Sequence, residues 1–364
     1  MRVLFFIAAL DAGGAERAVS RLANAWVERG WEVVVVTLAA ADADFFPLSP
    51  AIQRVGLDAL ADSAHVFEAL ARNVRRLAKL RNTVAERRPD VVIGFCDRAN
   101  ILALVATWGL GVKVIVSERT DPAQHAIGEF WSWARRRVYP RASAVVVQTE
   151  AVKRWLEREI PAARTVAIPN PVWRAALPPA ARREGDSLEV VGVGRLGYEK
   201  GFDLLLNAFG LVAERFPDWR LRIVGDGDRR GELEALAARL GLAGRVAFTG
   251  KVPNPEDYMH RAALFALPSR YEGFPNALLE AMACGLPAVS FDCPSGPAAI
   301  IRHGLDGLLV PAEDVPAFSA ALAELMADAG KREFLGGNAR AVLDRFGPEN
   351  ILGQWEALMT EVTV

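Results

Sequence analysis

Short apolar runs rich in Val, Ile and Leu alternate with helix-period segments along the whole of this 364-residue chain, and that alternation leaves few folds open. In the first half the strand candidates are Val3–Ala8, Glu32–Thr37, Val91–Phe95, Val114–Ser117, Ala144–Gln148 and Thr165–Ile168. In the second they are Leu188–Val193, Arg220–Val224, Val246–Phe248, Leu264–Leu267, Ala288–Ser290 and Gly307–Val310. Helical patterns such as Glu232–Leu240 and Pro316–Met326 lie between most of them. Strand and helix in alternation build βαβ units and parallel sheets. Runs that are apolar throughout, rather than at every second residue, fit strands covered on both faces. The expected fold is therefore α/β, with two Rossmann-like doubly wound parallel-sheet domains facing across a cleft. Ligands of such sheets bind at the carboxyl ends of the strands. Pro169-Asn170-Pro171-Val172 to Pro178-Pro179, continued by polar Arg182–Ser187, is the expected link, because proline fixes φ and removes a donor. It divides the chain into 1–170 and 171–346, with a helix at Pro348–Val362 in the remaining 347–364.

A chain that is 52% hydrophobic and 24% charged buries enough apolar surface to order itself. The formal net charge of -1 points to no nucleic acid partner. The halves differ, however: residues 1–170 carry 23 Lys+Arg against 18 Asp+Glu, and the remainder 20 against 26. A basic first half calls for an anionic partner on that side. Cys96, Cys284 and Cys293 lack zinc-ligand spacing, and their odd number argues against a disulfide framework, so a reducing compartment is expected. The apolar start Met1–Ile7 reads as a buried first strand rather than a signal peptide, since Asp11 interrupts it. Ile101–Leu110 is far shorter than a membrane span, so a protein in solution or on a membrane surface is expected.

The stretch richest in chemistry runs from Ser269 to Pro287, directly after a strand candidate. Pro275 suits the first turn of a helix, and Gly285 with Pro287 ends it. Glu272 and Gly273 then lie on the loop at the strand's carboxyl end, and Glu280 on the helix behind. The free N–H groups and dipole of that helix start suit a diphosphate. Each acid taken alone is as readily a surface carboxylate. Glu280, however, stands among Ala277, Leu278, Leu279, Ala281 and Met282, and an acid buried there needs a partner.

Gly192-Val193-Gly194-Arg195-Leu196-Gly197 matches the dinucleotide fingerprint literally, but the helical period begins later, at Phe202. A longer loop bearing Arg195 and Lys200 is better suited to holding a diphosphate with two cations. Gly13-Gly14 after the first strand permits close approach of a ligand to the backbone, or is simply a tight turn.

Together these residues resemble the retaining glycosyltransferases of family 4, which have the GT-B fold. The resemblance covers nearly the whole chain. It rests on Gly13-Gly14-Ala15-Glu16-Arg17, Ser117-Glu118-Arg119, Ile168-Pro169-Asn170-Pro171-Val172, Gly194-Arg195-Leu196 with Lys200-Gly201, Gly225-Asp226-Gly227, and the Glu272 to Glu280 pattern of two acids eight apart. It implies that Arg195 and Lys200 bind the donor diphosphate, Glu272 the donor sugar and Glu280 the ribose. It implies further donor contacts at Gly14, Gly225, Val252, Gly273, Phe274, Pro275, Asn276, Ala277 and Leu278. It makes 1–170 the acceptor-binding domain and 171–346 the nucleotide-sugar domain, with the final helix crossing back to the first.

Val116–Pro122 and Phe291–Pro297 look like a narrower group, whose members build bacterial lipid-linked oligosaccharides and exopolysaccharides on polyprenyl diphosphate. The expected partners are thus a nucleotide-sugar, UDP-linked by resemblance, and a polyprenyl-diphosphate glycan. The expected location is cytoplasmic, peripheral on the inner membrane. Many relatives have His where Glu118 or Arg119 stands here; Glu118 is taken as the acceptor-side catalytic contact and Arg119 as an acceptor ligand.

His65 to Arg88 is a long helix candidate on which Arg72, Arg75 or Arg76, and Lys79 share a face. That face suits acceptor pyrophosphate or anionic lipid, or is a solvated surface. Phe130-Trp131-Ser132-Trp133 runs into Arg135-Arg136-Arg137; the aromatic residues are read as facing the core, with a headgroup boundary as the alternative. No cofactor and no metal are expected, the protein's cations standing in for a metal. A sugar-nucleotide epimerase, a nicotinamide-dinucleotide oxidoreductase and a non-catalytic nucleotide-sugar or lipid-binding module are the rival readings.

Overall fold

The computed structural model describes residues 1–11, 13–41, 44–59, 66–173 and 188–364, and over 66–72 the backbone alone. The chain divides into two compact units, Met1–Asn170 with Ile351–Val364, and Pro171–Asn350. The expected link passes, from residue 174 to 187, outside the described residues.

The first unit holds β1 (Arg2–Ile7), α1 (Gly14–Glu28), β2 (Glu32–Thr37), β3 (Gln53–Gly56), α2 (Val66–Arg87), β4 (Val91–Phe95), α3 (Asp97–Ala106), β5 (Lys113–Ser117), α4 (Glu129–Val138), β6 (Ala144–Val147), α5 (Glu150–Glu159) and β7 (Thr165–Ala167). Its sheet has the order β3-β2-β1-β4-β5-β6-β7, parallel at every pairing. Register is fixed by stacked β-branched residues, as in Val3↔Val33 and Val3↔Val91. One face of this sheet packs on α2 to α5 through residues such as Leu80, Ile101, Val138 and Leu156.

The second unit holds β8 (Glu189–Val193), α6 (Phe202–Ala213), β9 (Arg220–Val224), α7 (Arg230–Arg239), β10 (Val246–Phe248), α8 (Glu256–Arg261), β11 (Leu264–Leu267), α9 (Asn276–Ala283), β12 (Ala288–Asp292), α10 (Pro297–Ile300), β13 (Leu308–Pro311), α11 (Val315–Ala327), α12 (Ala329–Ala339) and α13 (Val342–Phe346). The sheet order is β10-β9-β8-β11-β12-β13, again parallel. Helices α6, α7 and α11 cover one face around Phe209 and Phe318. Helices α8, α9 and α13 cover the other around Phe265 and Met282.

The last helix, α14 (Pro348–Thr363), returns to the first unit from Ile351 onward. There Ile351, Leu352, Trp355, Leu358 and Met359 complete the face that α1 covers. Trp355 stacks on Phe95 and meets Trp26 edge-on. Each large apolar side chain so buried contributes roughly 1.5–3 kcal/mol, which is ample reason for the chain to come back.

Twelve strands fall within a residue or two of their sequence-based positions, because each carries an apolar run, fully buried in central strands such as β1 and β4. The thirteenth, β3, was not expected. Its sequence Gln53-Arg54-Val55-Gly56 has no apolar run to mark it, and it pairs to β2 alone at the sheet edge.

Candidate functional site

In the second unit the loops leaving β8, β9, β10 and β11 gather at the carboxyl edge of the sheet. The loop after β8 runs from Gly194 through a 3-10 turn at Tyr198–Lys200 to Gly201, which has φ 64° and leads into α6. Any Cβ at Gly201 would lie 2.0 Å from the Pro268 carbonyl oxygen, so only glycine lets this loop press against the one after β11. Gly225, with φ 141°, is as constrained: a Cβ there would lie 1.9 Å from the Gly194 oxygen. The Gly194 amide donates to Val224, that of Leu196 to Asp226, and that of Gly225 to Gly250 (2.9–3.0 Å). Three loops are thereby tied into one rim, bringing Gly225 beside the Gly250-Lys251-Val252 turn.

On this rim Lys200 meets Glu272. Its Nζ lies 2.7 and 2.9 Å from the two carboxylate oxygens, and the Ser269 hydroxyl donates to Oε1 at 2.7 Å. Glu272 is only 7% exposed and the lysine side chain 25%. A carboxylate so far out of water needs its charge matched, and Lys200 supplies the match. Arg270 holds the lysine loop in place. It bonds both Asp203 oxygens (2.9 and 2.7 Å), donates to the Tyr198 carbonyl and lies 4.2 Å over the Tyr198 ring. Neither Arg270, Ser269 nor Asp203 was singled out from sequence; Arg270 and Ser269 lie within the motif, but nothing in it shows what they touch.

Arg195 turns to Glu199 at 2.7 Å, with its side chain 73% exposed. Burial raises the Glu199 pKa, but the bond from Arg195, a backbone hydrogen bond and the charges of Arg195 and Lys200 together outweigh it and leave the carboxyl below its ordinary value. Desolvation and Glu199 push the Tyr271 hydroxyl up, while Arg195 and Lys200 oppose them, so both cations act at this tyrosine.

The loop after β11 enters α9 at Asn276; Pro275, expected inside the first turn, immediately precedes the helix. The first turn of α9 carries no acid to offset its dipole. Gly273, Phe274, Asn276, Ala277 and Leu278 bring backbone N–H groups and a positive helix end to the rim that holds Lys200, with Pro275, which has no N–H, fixing the entry to the helix. Glu280, further along α9, is 7% exposed and partnered, not on a solvated face. The Gly296 loop packs behind, where a Cβ would lie 2.6 Å from Pro275 and 3.4 Å from Glu272.

The first unit has its own polar edge. Glu118 is 1% exposed: Tyr139 donates to its Oε1 at 2.5 Å, and Arg135 Nη1 lies 3.6 Å away. Desolvation raises its pKa, against the pull of Arg135 and Tyr139. Glu118 thus stands in an internal charge cluster, with its Oε2 left without a hydrogen-bond partner among the described residues. Arg119, half-buried, donates to Asn170 and lies 4.3 Å over the Phe95 ring. Its Nε and Nη2 have no hydrogen-bond partner among the described residues, and burial pushes its pKa down to about 10. His125 Nε2 lies 3.5 Å from Asp97 at the start of α3, a pairing the sequence did not disclose. Gly14 opens α1 after β1 and is exposed.

The basic helix forms, as α2. Arg75 is exposed; Arg76 donates to the Ala59 carbonyl and Lys79 to that of Leu57, so both also pin the preceding segment. The side chain of Arg72 lies outside the described residues. Phe130 and Trp133 do not face the core: they are 65% and 56% exposed, while Ala134, Arg135 and Val138 turn inward.

Two parallel α/β units of this kind, one presenting a cation and a carboxylate beside a helix start, agree with what family comparison finds. The model described as glycosyl transferases group 1 matches residues 187–328, and that described as glycosyl transferase 4-like domain matches 13–171. The chain belongs to this family: it is a glycosyltransferase of GT-B fold. It is 29% identical over 364 residues to the GalNAc-alpha-(1->4)-GalNAc-alpha-(1->3)-diNAcBac-PP-undecaprenol alpha-1,4-N-acetyl-D-galactosaminyltransferase of Campylobacter jejuni, covering 100% of this chain and 99% of that one. It is 41% identical over 229 residues to an exopolysaccharide phosphotransferase of Streptomyces coelicolor; that match takes in 61% of this chain but only 24% of the relative. The solved structure of Anabaena HepE in complex with UDP has the same fold, with a TM-score of 0.78 at 19% identity over 99% of this chain and 100% of that one.

Proposed function

We propose that this glycosyltransferase moves a hexose or N-acetylhexosamine from a UDP-sugar to a glycan carried on polyprenyl diphosphate, with retention of anomeric configuration and without a metal. The observation that carries the reading is the Lys200–Glu272 pair, held at the carboxyl edge of the second sheet beside the start of α9. Lys200, with Arg195 and the α9 amides, takes the donor diphosphate. Glu272 takes hydroxyls of the donor sugar, Glu280 the ribose, and the Gly225 and Val252 turns the base. Gly14 remains a proposed donor contact by family resemblance.

The bond from the anomeric carbon to the diphosphate breaks as the bond to the acceptor oxygen forms on the same face. The acceptor's proton passes to the departing phosphate oxygen. Negative charge grows on that oxygen, and Lys200 and the helix dipole stabilise it. Support for UDP comes from HepE, whose structure holds UDP, and support for a polyprenyl carrier from the full-length Campylobacter relative, named for an undecaprenol-linked glycan. On the acceptor side stand Arg119, with two nitrogens unpaired among the described residues, and the α2 cations Arg72, Arg75, Arg76 and Lys79. Among the described residues no helix is long and apolar enough to cross a membrane. The proposed location is peripheral, on the cytoplasmic face of the inner membrane, and the proposed role is assembly of surface polysaccharide or glycan.

The test is a screen of UDP- and GDP-sugars against a polyprenyl-diphosphate glycan, with products read by mass spectrometry and anomeric configuration by NMR. Transfer in the presence of EDTA is expected. Activity abolished by EDTA and restored by Mg²⁺, or donor consumed equally well with no acceptor to give an epimer, would replace the reading.

A further inference from the structure

We propose that the outer face of α2, α3 and α4 docks on an anionic lipid bilayer; this deepens the lipid-linked acceptor reading above and rests on it. The face surrounds an open groove of about 510 Å³. Its floor is apolar, with Leu77 from α2 and Ile101 and Val105 from α3. Around it stand Val74, Trp108, Phe130 and Trp133, which are 58%, 61%, 65% and 56% exposed. Trp108 and Trp133 are the exposed tryptophans among the described residues, and they border the same groove.

The arrangement follows from the helix period. On α4, Phe130, Trp133 and Arg137 lie three and four residues apart on one side, while Ala134 and Val138 pack inward. Trp108 follows α3, and Arg81 of α2 fixes its backbone by donating to the carbonyls of Trp108 (2.7 Å) and Ala106 (3.0 Å). A soluble surface rarely leaves so many large apolar side chains together unless something covers them.

Charge selects the occupant. The described side chains of α2, α3 and α4 include Arg75, Lys79, Arg98, Arg136 and Arg137 among other cations, against the acids Glu86, Asp97 and Glu129. At the groove itself the Arg141 guanidinium lies 3.4 Å over the Trp108 ring, and that of Arg137 5.9 Å from Trp133. Arginines standing beside tryptophan and phenylalanine match the boundary between headgroups and acyl chains, where aromatic rings enter and cations meet phosphate. A second copy of this face would bring like charges together, and an acidic protein surface would not need a groove with an apolar floor. A bilayer of anionic lipid satisfies both the charge and the floor. Each basic side chain close to such a surface is worth about a fivefold gain in partitioning.

The experiment is flotation of the full chain with vesicles of phosphatidylglycerol and phosphatidylcholine, and with phosphatidylcholine alone. Wild type should float with the anionic vesicles and scarcely with the neutral ones. Phe130→Ser/Trp133→Ser and, independently, Arg137→Ser/Arg141→Ser should each lower partitioning by about tenfold or more. Both should keep UDP-sugar affinity and turnover on a water-soluble, short-chain acceptor. Wild-type indifference to anionic vesicles overturns the proposal. So does undiminished binding of both variants, or a wild-type dimer that the Phe130→Ser/Trp133→Ser change dissolves without any vesicle binding. Vesicle binding by a protein that ignores every polyprenyl-linked acceptor would instead sink the acceptor reading and leave the docking face standing.

Discussion

Replacing Lys200 by alanine separates two roles that the structure gives to one side chain. In the free enzyme its Nζ neutralises Glu272, which is 7% exposed and would keep Ser269 as a donor. Removing one partner of a fully buried pair costs about 3–5 kcal/mol. The lysine is 25% exposed, so water replaces part of it, and about 2 kcal/mol is the appropriate scale. For a unit of this size that lowers the melting temperature by about 4–8 °C. With donor bound, the same cation faces the diphosphate. A unit charge about 4 Å from another, at an effective dielectric of about 20, contributes up to ~4 kcal/mol. A loss of about 2–4 kcal/mol corresponds to roughly 30- to 1000-fold in kcat/KM. Adding Glu272→Gln removes the orphaned carboxylate, so the double variant should regain most of the lost stability and none of the activity. Calorimetric melting, donor affinity by titration and transfer kinetics on the four proteins complete the cycle. A Lys200→Ala enzyme with kcat/KM and donor affinity within about threefold of wild type, or a double variant whose activity returns with its stability, would refute the diphosphate role.

Glu272→Gln alone should keep the fold and lower turnover by roughly 10- to 1000-fold, since it removes the charge assigned to the donor sugar; unchanged turnover in a transfer assay would remove that role. Glu118 predicts a pH dependence. Its folded-state pKa is raised above the ordinary 4.5 by burial, so its contribution is fully present below about 4.5 and is lost as pH rises through the folded value. Melting curves of wild type should therefore fall relative to Glu118→Gln as pH is raised from 4.5, and parallel curves would mean that the buried carboxylate is not penalised. Gly225→Ala places a Cβ 1.9 Å from the Gly194 oxygen at φ 141° and should cost roughly 2–4 kcal/mol together with donor affinity. Gly231→Ala, in α7 with nothing within 4 Å, should change stability by at most ~1 kcal/mol; equal melting points for the two variants would show that the rim does not need glycine at 225.

The alternation of strand and helix was legible because strands buried on both faces carry the same residue types throughout. Glu272, Lys200 and the start of α9 were legible because loops, cations and helix starts leave local marks, even though the paired residues stand 72 apart. Features made by distant partners were not. Nothing near Ser117-Glu118-Arg119 shows that Tyr139 and Arg135 reach back to Glu118 and turn a surface acid into an internal one. The helical period of Phe130 to Val138 offers two faces, and the apolar one was read as inward. The structure turns Ala134, Arg135 and Val138 inward instead, with Trp131 only partly buried beside the same core. Arg270 looked like any loop arginine until Asp203 and Tyr198 were placed around it.

The return of α14 has a consequence for biogenesis. All seven strands of the first sheet have left the ribosome once Ala167 has, yet Trp26 and Phe95 still lack the ring that covers them. Trp355 follows only after the whole of Pro171–Asn350 has been translated. At about 5–20 residues per second that is a delay of roughly 10–40 s. Through that interval an aromatic gap stands open on the nascent chain, a natural foothold for a chaperone, and a ribosome stalled anywhere in the second unit leaves the first one unsealed.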